Sequence, residues 1–250
     1  MTGETATDRR LVALTGADAL PFLQGLVTND VLRLAAPGLV WTALLTPQGK
    51  YLADFFVVHT GDALLLDLPG ALADATLRRL MMYKLRADVQ IGESPLSVTR
   101  GLGDAPEGAF ADPRHPALGW RAYGAAGGPA VVDWDAIRVT HAIPESGIEL
   151  IANDSYILEM GFERLHGVDF RKGCYVGQEV TARMKHKTEL RKGLARVRVE
   201  GAAPLGTPVM AGEKEAGTLY TQSGGHGLAW LRFDRAEGVM RAGEAIVTAT

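Results

Sequence analysis

Hydrophobic positions over residues 1–92 switch between two periods. An apolar run at residues 11–14 stops at Gly16-Ala17-Asp18. Beyond it Ala19, Phe22, Leu23, Leu26 and Val27 recur at the spacing of one helix face, with Asp18 placed to cap that helix. Residues 39–45, 51–58 and 63–68 read as strands, separated by turn chemistry at Pro47-Gln48-Gly49 and Thr60-Gly61-Asp62. Helical spacing returns over 71–85 and predicts a helix that buries Ala73, Leu77, Leu80, Met81 and Leu85. Alternation in Ala87, Val89 and Ile91 adds a strand, so helices and antiparallel strands mix in an α+β pattern.

The pattern thins between Gly92 and Pro129, where glycines and prolines favour turns and short strands. Short helices are expected at 135–142 and 157–165, and another begins at Gln178. Strict alternation at 194–199 then opens an all-β tail, divided by turns at Gly201, Gly206, Gly212, Gly217 and Ser223-Gly224-Gly225-His226-Gly227 as a small barrel requires. Three consecutive segments are expected: a first α+β lobe at 1–92, a second, shortened lobe at 93–189, and a β-barrel at 190–250.

Composition narrows the function classes. A chain of 250 residues can bury a substantial core. Its net charge of −3 gives no global basic field, which argues against nucleic acid as a direct ligand. One cysteine excludes an intrachain disulfide or an all-cysteine zinc site, and the histidines show no ligand spacing, so no resident metal is expected. The polar, acidic start Met1-Thr2-Gly3-Glu4 is unlike a secretory or Arg-rich transit segment, and no apolar run is long enough to cross a bilayer. These features lead us to expect a monomer in a reducing cytoplasm, away from membranes.

The single cysteine sits in Lys172-Gly173-Cys174-Tyr175-Val176-Gly177-Gln178-Glu179. Two glycines free the backbone around the thiol, and the helix that follows places Cys174 near a helix N-terminus. There the N–H dipoles and the Lys172 cation favour thiolate, preparing the sulfur for nucleophilic, redox or metal chemistry. The alternative is a small buried hydrophobe. Gln178 and Glu179 orient the loop or cap the helix. Arg183-Met184-Lys185-His186-Lys187-Thr188 begins the most basic segment, either a solvated helix end or an anion site. As an acyl-transfer nucleophile Cys174 would need a base, and His166 and His186 stand in no such setting.

The octapeptide resembles the K-G-C-[YF]-x-G-Q-E signature of the YgfZ-type folate-binding proteins, relatives of the glycine-cleavage aminomethyltransferase that take part in iron–sulfur protein maturation. Phe22-Leu23-Gln24-Gly25-Leu26-Val27-Thr28-Asn29-Asp30-Val31 is similar to that family's N-terminal segment. Thr46-Pro47-Gln48-Gly49-Lys50 with Leu52-Ala53-Asp54-Phe55 is similar to its second block. The resemblance implies an aminomethyltransferase-like α+β fold, with mixed lobes about a central cavity and a small C-terminal β-barrel. It also implies a tetrahydrofolate-type ligand and a role as an accessory factor in assembly or repair of iron–sulfur clusters, linked to tRNA modification. Client or carrier proteins would be the partners.

On this reading Cys174, Lys172, Gln178 and Glu179 form the reactive centre, and a cluster is held only transiently and shared, because one cysteine cannot supply four ligands. Trp134 falls where relatives carry a folate-contacting tryptophan. Asn29, Asp54, Tyr175 and Arg183 complete the folate candidates. Relatives can carry a second tryptophan where this chain reads Asp8-Arg9-Arg10-Leu11, and often Gly at Ala142 with an acidic residue near Thr140. Two alternatives stand beside this reading. A tetrahydrofolate-dependent aminomethyltransferase would have an acidic pair at Ala53-Asp54, and a folate-binding scaffold would not need the thiol.

Overall fold

The computed structural model describes residues 3–61, 63–187 and 189–250. Met1 and Thr2 of the polar start, Asp62 of the expected turn and Thr188 of the basic segment lie outside the described residues. Contacts divide the chain into two units: residues up to Val132 joined by Glu163–Gln178, and Asp133–Phe162 joined by Glu179–Thr250. This differs from three consecutive segments, because the octapeptide up to Gln178 closes on the N-terminal unit.

In the first unit, chain order is β1 (Glu4–Thr5), β2 (Arg9–Thr15), α1 (Ala19–Gln24), β3 (Gly38–Leu45), β4 (Tyr51–His59), β5 (Leu64–Pro69), α2 (Gly70–Lys84), β6 (Gln90–Glu93), β7 (Ser97–Gly101), β8 (Phe110–Ala111) and β9 (Trp120–Gly124). Five strands form an antiparallel sheet in the order β3-β4-β5-β2-β6, and four form a second sheet in the order β1-β7-β9-β8. Alternation along β4 and β5 sets what each face meets. Phe55, Val57, Leu64 and Leu66 pack with Leu23 of α1 and with Ala73 and Leu80 of α2. Val58 and Leu65 pack instead with Val98 of β7, and Tyr123 of β9 adds to that cluster.

Asp67 follows Leu65 on that second face and is fully buried. It accepts from Arg121 at 2.5 Å, from Arg9 at 2.6 Å and from the Tyr123 hydroxyl at 3.1 Å. The Arg121 guanidinium also lies 4.2 Å above the Phe56 ring. Burial alone would raise the Asp67 pKa, but Arg121 and Arg9 outweigh it and hold the carboxyl below its usual range.

Three local expectations are corrected. The Asp18 carboxylate does not cap α1 but accepts from the Asp88 backbone N–H at 2.8 Å, tying the helix start to the approach to β6. Met81 and Leu85 are not buried: helix α2 stops at Lys84 and Leu85 turns away at φ 44°, leaving them 54% and 88% exposed. Residues 157–165 form successive turns instead of a helix, because Gly161 takes φ 79° and the Phe162 N–H reaches back to the Ile157 carbonyl.

The second unit contains α3 (Trp134–His141), most of α4 (Gln178–Lys187), and β10 (Lys192–Glu200), β11 (Thr207–Ala211), β12 (Lys214–Ser223), β13 (His226–Arg232), β14 (Val239–Ala242) and β15 (Ala245–Ala249). These strands close into a barrel in the order β10-β13-β12-β11-β14-β15. Val197, Val209, Leu219, Leu231 and Val247 fill its interior. Arg138 of α3 bonds Glu149 and Thr221 at 3.0 Å each, and the Thr221 hydroxyl donates to Glu149 at 2.6 Å, fixing α3 to β12.

Removing one partner of the Asp67 cluster leaves an uncompensated buried charge. Arg121→Met is expected to lower unfolding stability by about 3–5 kcal/mol in a denaturant titration, and a loss below about 1 kcal/mol contradicts this account of the sheet-to-sheet contact.

Candidate functional site

Cys174 is exposed and free. The residues around it explain how an irregular segment holds a fixed course. Two residues earlier, the Lys172 side chain turns inward and is 5% exposed. Its ammonium donates to the carbonyls of Gln24 at 2.8 Å, Val27 at 2.5 Å and Asn29 at 2.9 Å, and stands 5.0 Å over the Tyr175 ring. The Gln24 carbonyl closes α1, where helix geometry leaves oxygens without partners, and those of Val27 and Asn29 follow in the segment beyond it. Burial pushes the ammonium pKa down to about 8, against Asp30 and Asp169, which raise it. The group is therefore still a cation at neutral pH. Proximity along the chain assigns this charge to the sulfur, whereas the structure directs its three donors to backbone oxygens.

After the thiol the chain is held again. Tyr175 is 8% exposed, the Val176 N–H donates to the Gly25 carbonyl at 3.2 Å, and Val176 packs against the core. Gly177 then takes φ 85° against the turn joining β3 to β4, where a Cβ would come within 2.5 Å of the Thr46 carbonyl oxygen. Gly177 must be glycine for both reasons. Gly173 differs: its φ is not positive, and an added Cβ would meet nothing within 4 Å. The expectation that both glycines permit the turn is thus corrected to Gly177 alone. The three sequence blocks, 22–31, 46–50 and 172–179, meet here, and the thiol projects from their junction.

Asn29 and Asp54 have other work than a ligand rim. The Asn29 amide donates to the carbonyls of Trp41 at 2.9 Å and His166 at 2.7 Å, and its oxygen accepts from the Asp30 N–H. Asp54 is 4% exposed and accepts from Trp41 Nε1 at 2.8 Å and the Tyr51 hydroxyl at 2.7 Å. Tetrahydrofolate, which the fold family implies, is not fitted by these two side chains, since each is engaged in holding strands and loops. Arg9, where relatives can carry a tryptophan, is bonded to Asp67.

Gln178 opens α4, its N–H donating to the Tyr175 carbonyl at 3.2 Å. Glu179 is exposed in the first turn of that helix, and Arg183 is exposed one turn later. Trp134, half-buried, is the first residue of α3, whose cap is Asp133 accepting from the Ala136 N–H at 2.9 Å. Lys172, Cys174, Tyr175 and Gln178 thus share the first unit with Asn29 and Asp54, whereas Trp134, Glu179 and Arg183 belong to the second.

Sequence reasoning missed Thr28 and Thr42. The Thr28 hydroxyl donates to the Gly167 carbonyl at 2.7 Å and accepts from the Ala43 N–H, and Thr42 accepts from the Asn29 N–H at 2.9 Å. A polar Thr28-Asn29-Asp30 directly after an apolar helix face was the available signal.

Residues 191–250 match the model of the CAF17 C-terminal beta-barrel domain. Over 92% of its length the chain is 31% identical to the iron-sulfur cluster assembly factor IBA57, mitochondrial, of Mus musculus, covering 77% of that protein. It is 30% identical to the Homo sapiens protein of the same name, with the same coverage. The Mycosarcoma maydis homologue is 32% identical, and the chain spans only 54% of its length. Among solved structures, the glycine cleavage system aminomethyltransferase T of Bartonella henselae superposes with a TM-score of 0.72 at 12% identity, over 97% of this chain and 82% of that one. That likeness establishes the aminomethyltransferase-like fold. The expected cytoplasmic location is corrected by these relatives, which are named as mitochondrial proteins.

Two outcomes follow from the geometry. Gly177→Ala should lower the thermal midpoint markedly and Gly173→Ala leave it nearly unchanged; equal effects would contradict the assigned backbone roles. Because the folded pKa of Lys172 lies below its unfolded value, the unfolded chain holds the proton across the window from about 8 up to 10.5. Wild-type stability should therefore rise relative to Lys172→Met as pH rises through that window, and a relative fall in paired denaturation curves would refute the burial assigned to the ammonium.

Proposed function

From a chain that belongs to the family of YgfZ-type iron–sulfur cluster assembly factors, we infer an accessory protein that assists assembly or repair of iron–sulfur clusters in client enzymes, those of tRNA modification among them, with Cys174 as its reactive group. One observation carries the choice of residue: the only cysteine is exposed, on a loop fixed two residues before it by a buried ammonium and three residues after it by a glycine that admits no side chain. A thiol held in this way meets iron with little further ordering of the chain, so less conformational entropy opposes ligation.

The chemistry is ligand exchange on a cluster that is cargo. The Cys174 thiol gives its proton to water, the sulfur takes a position on iron, and the displaced ligand takes up a proton. No net oxidation or reduction is required. One thiolate supplies one ligand, so the remaining positions belong to the protein that brings or receives the cluster. Lys172 and Gly177 act by positioning the loop.

Tetrahydrofolate enters the proposal through Trp134 alone, an aromatic face of the kind a flat pterin needs. Aminomethyl transfer is the weaker reading, because the lone Asp54 carboxylate is engaged with Trp41 and Tyr51.

The test compares a cluster-dependent enzyme in cells carrying wild-type protein, Cys174→Ala or no protein, with client abundance controlled. Cys174→Ala is expected to accumulate as folded protein yet give activity as low as the deletion. Wild-type activity from that variant would remove the thiol from the mechanism and leave a scaffold.

A further inference from the structure

The last turn of α2 exposes an apolar cluster that neither the fold nor the thiol loop uses. Met81, Met82 and Leu85 are 54%, 71% and 88% exposed. Met81 and Met82 stand on the last turn of α2, and Leu85 is the residue at which the helix ends, so the three exposed side chains fall within five consecutive positions. The buried face of α2 runs through Ala73, Thr76 and Leu80 and ends there. Leu85 holds φ 44° and ψ −107°, a costly backbone for a branched residue that nothing buried compensates.

Cations surround this cluster. Arg78, Arg79, Lys84 and Arg86 flank it in sequence, and among the described residues Arg78, Arg79 and Arg86 form no ion pair. Asp74, the acid on the same helix, is bonded to Arg10, which also binds Glu93. A helix C-terminus explains a cation at Lys84, but not three large apolar side chains left in water beside it. Lys84 faces Asp88, so in a chain of net charge −3 the local concentration of positive charge without an ion pair is the three arginines.

We propose that the Met81–Met82–Leu85 cluster and its arginine rim dock an acidic protein, apolar side chains at the centre and carboxylates at the edge. Resting on the function inferred above, that protein is one that delivers or receives the cluster. Methionines repack readily, which suits a surface that meets more than one partner. An anionic membrane is the poorer match, since interfacial helices free an apolar face along their length and α2 buries its own.

The test places a photo-crosslinking residue at Met82 of the full chain in cells, identifies the captured protein and purifies it for binding measurements. The expected partner has net negative charge and carries or receives iron–sulfur clusters. Its Kd should rise about tenfold or more with Arg78→Glu combined with Arg86→Glu, with Met82→Ser combined with Leu85→Gly, and on raising salt from about 50 to 300 mM. The arginine double variant should keep the wild-type unfolding midpoint, and Met82→Ser combined with Leu85→Gly should match or exceed it, since glycine takes the φ of 44° at residue 85 without the cost leucine bears. Capture of a second copy of this chain, binding to phosphatidylcholine–phosphatidylserine vesicles in place of a protein, no capture, or binding indifferent to salt and to both variants would overturn the proposal. Cys174→Ala should keep this affinity while losing client activation. An acidic partner bound through the patch alongside a dispensable thiol would sink the thiol mechanism and leave the docking surface standing.

Discussion

A single ammonium buried among backbone oxygens sets the geometry on which the candidate site depends. A cation taken out of water must be compensated, and three backbone carbonyls compensate Lys172, one at the end of α1 and two in the segment after it, each gaining a donor in return. The two deficits cancel, and in doing so they fix residue 172 against residues 24–29. The thiol two residues later inherits that position. The segment 163–178 therefore belongs to the N-terminal unit although about thirty residues of the other unit precede it.

The same logic of buried charge recurs at Asp67 and Glu149, one in each unit. Asp67 binds the five-stranded sheet to the four-stranded one through Arg121, and Glu149 binds α3 to the barrel through Arg138. Each carboxylate is met by a guanidinium and by a hydroxyl, so its oxygens are satisfied and its charge is opposed. Cys174 takes no part in either knot, and as an exposed residue it can serve chemistry.

Much of this was legible in the residues. Apolar runs bounded by turn residues placed β3 and β4, strict alternation placed β10, and the octapeptide pointed to Cys174 and to the helix after it. Other features were hidden for physical reasons. Spacing alone extended the inward face of α2 through Met81 and Leu85, because periodicity reports which side chains could share a face and not where the sheet beneath them ends. Asp18 and Asn29 were read by residue type as a cap and a rim, yet each bonds a segment distant in sequence, a choice that local pattern does not encode. Lys172 was assigned to its sequence neighbour for the same reason. A lone aspartate in the apolar strand Leu64–Pro69 was a signal that a cation must face it, though not which one.

The claim at the centre of this account is that Cys174, held on its clamped loop, ligates iron. Anaerobic mixing of the purified full chain with a cluster-loaded iron–sulfur carrier protein, followed by visible circular dichroism, tests it most directly. The account predicts a spectrum that changes on mixing with wild-type protein and keeps the carrier's own form with Cys174→Ala. The same spectral change from both proteins would contradict it.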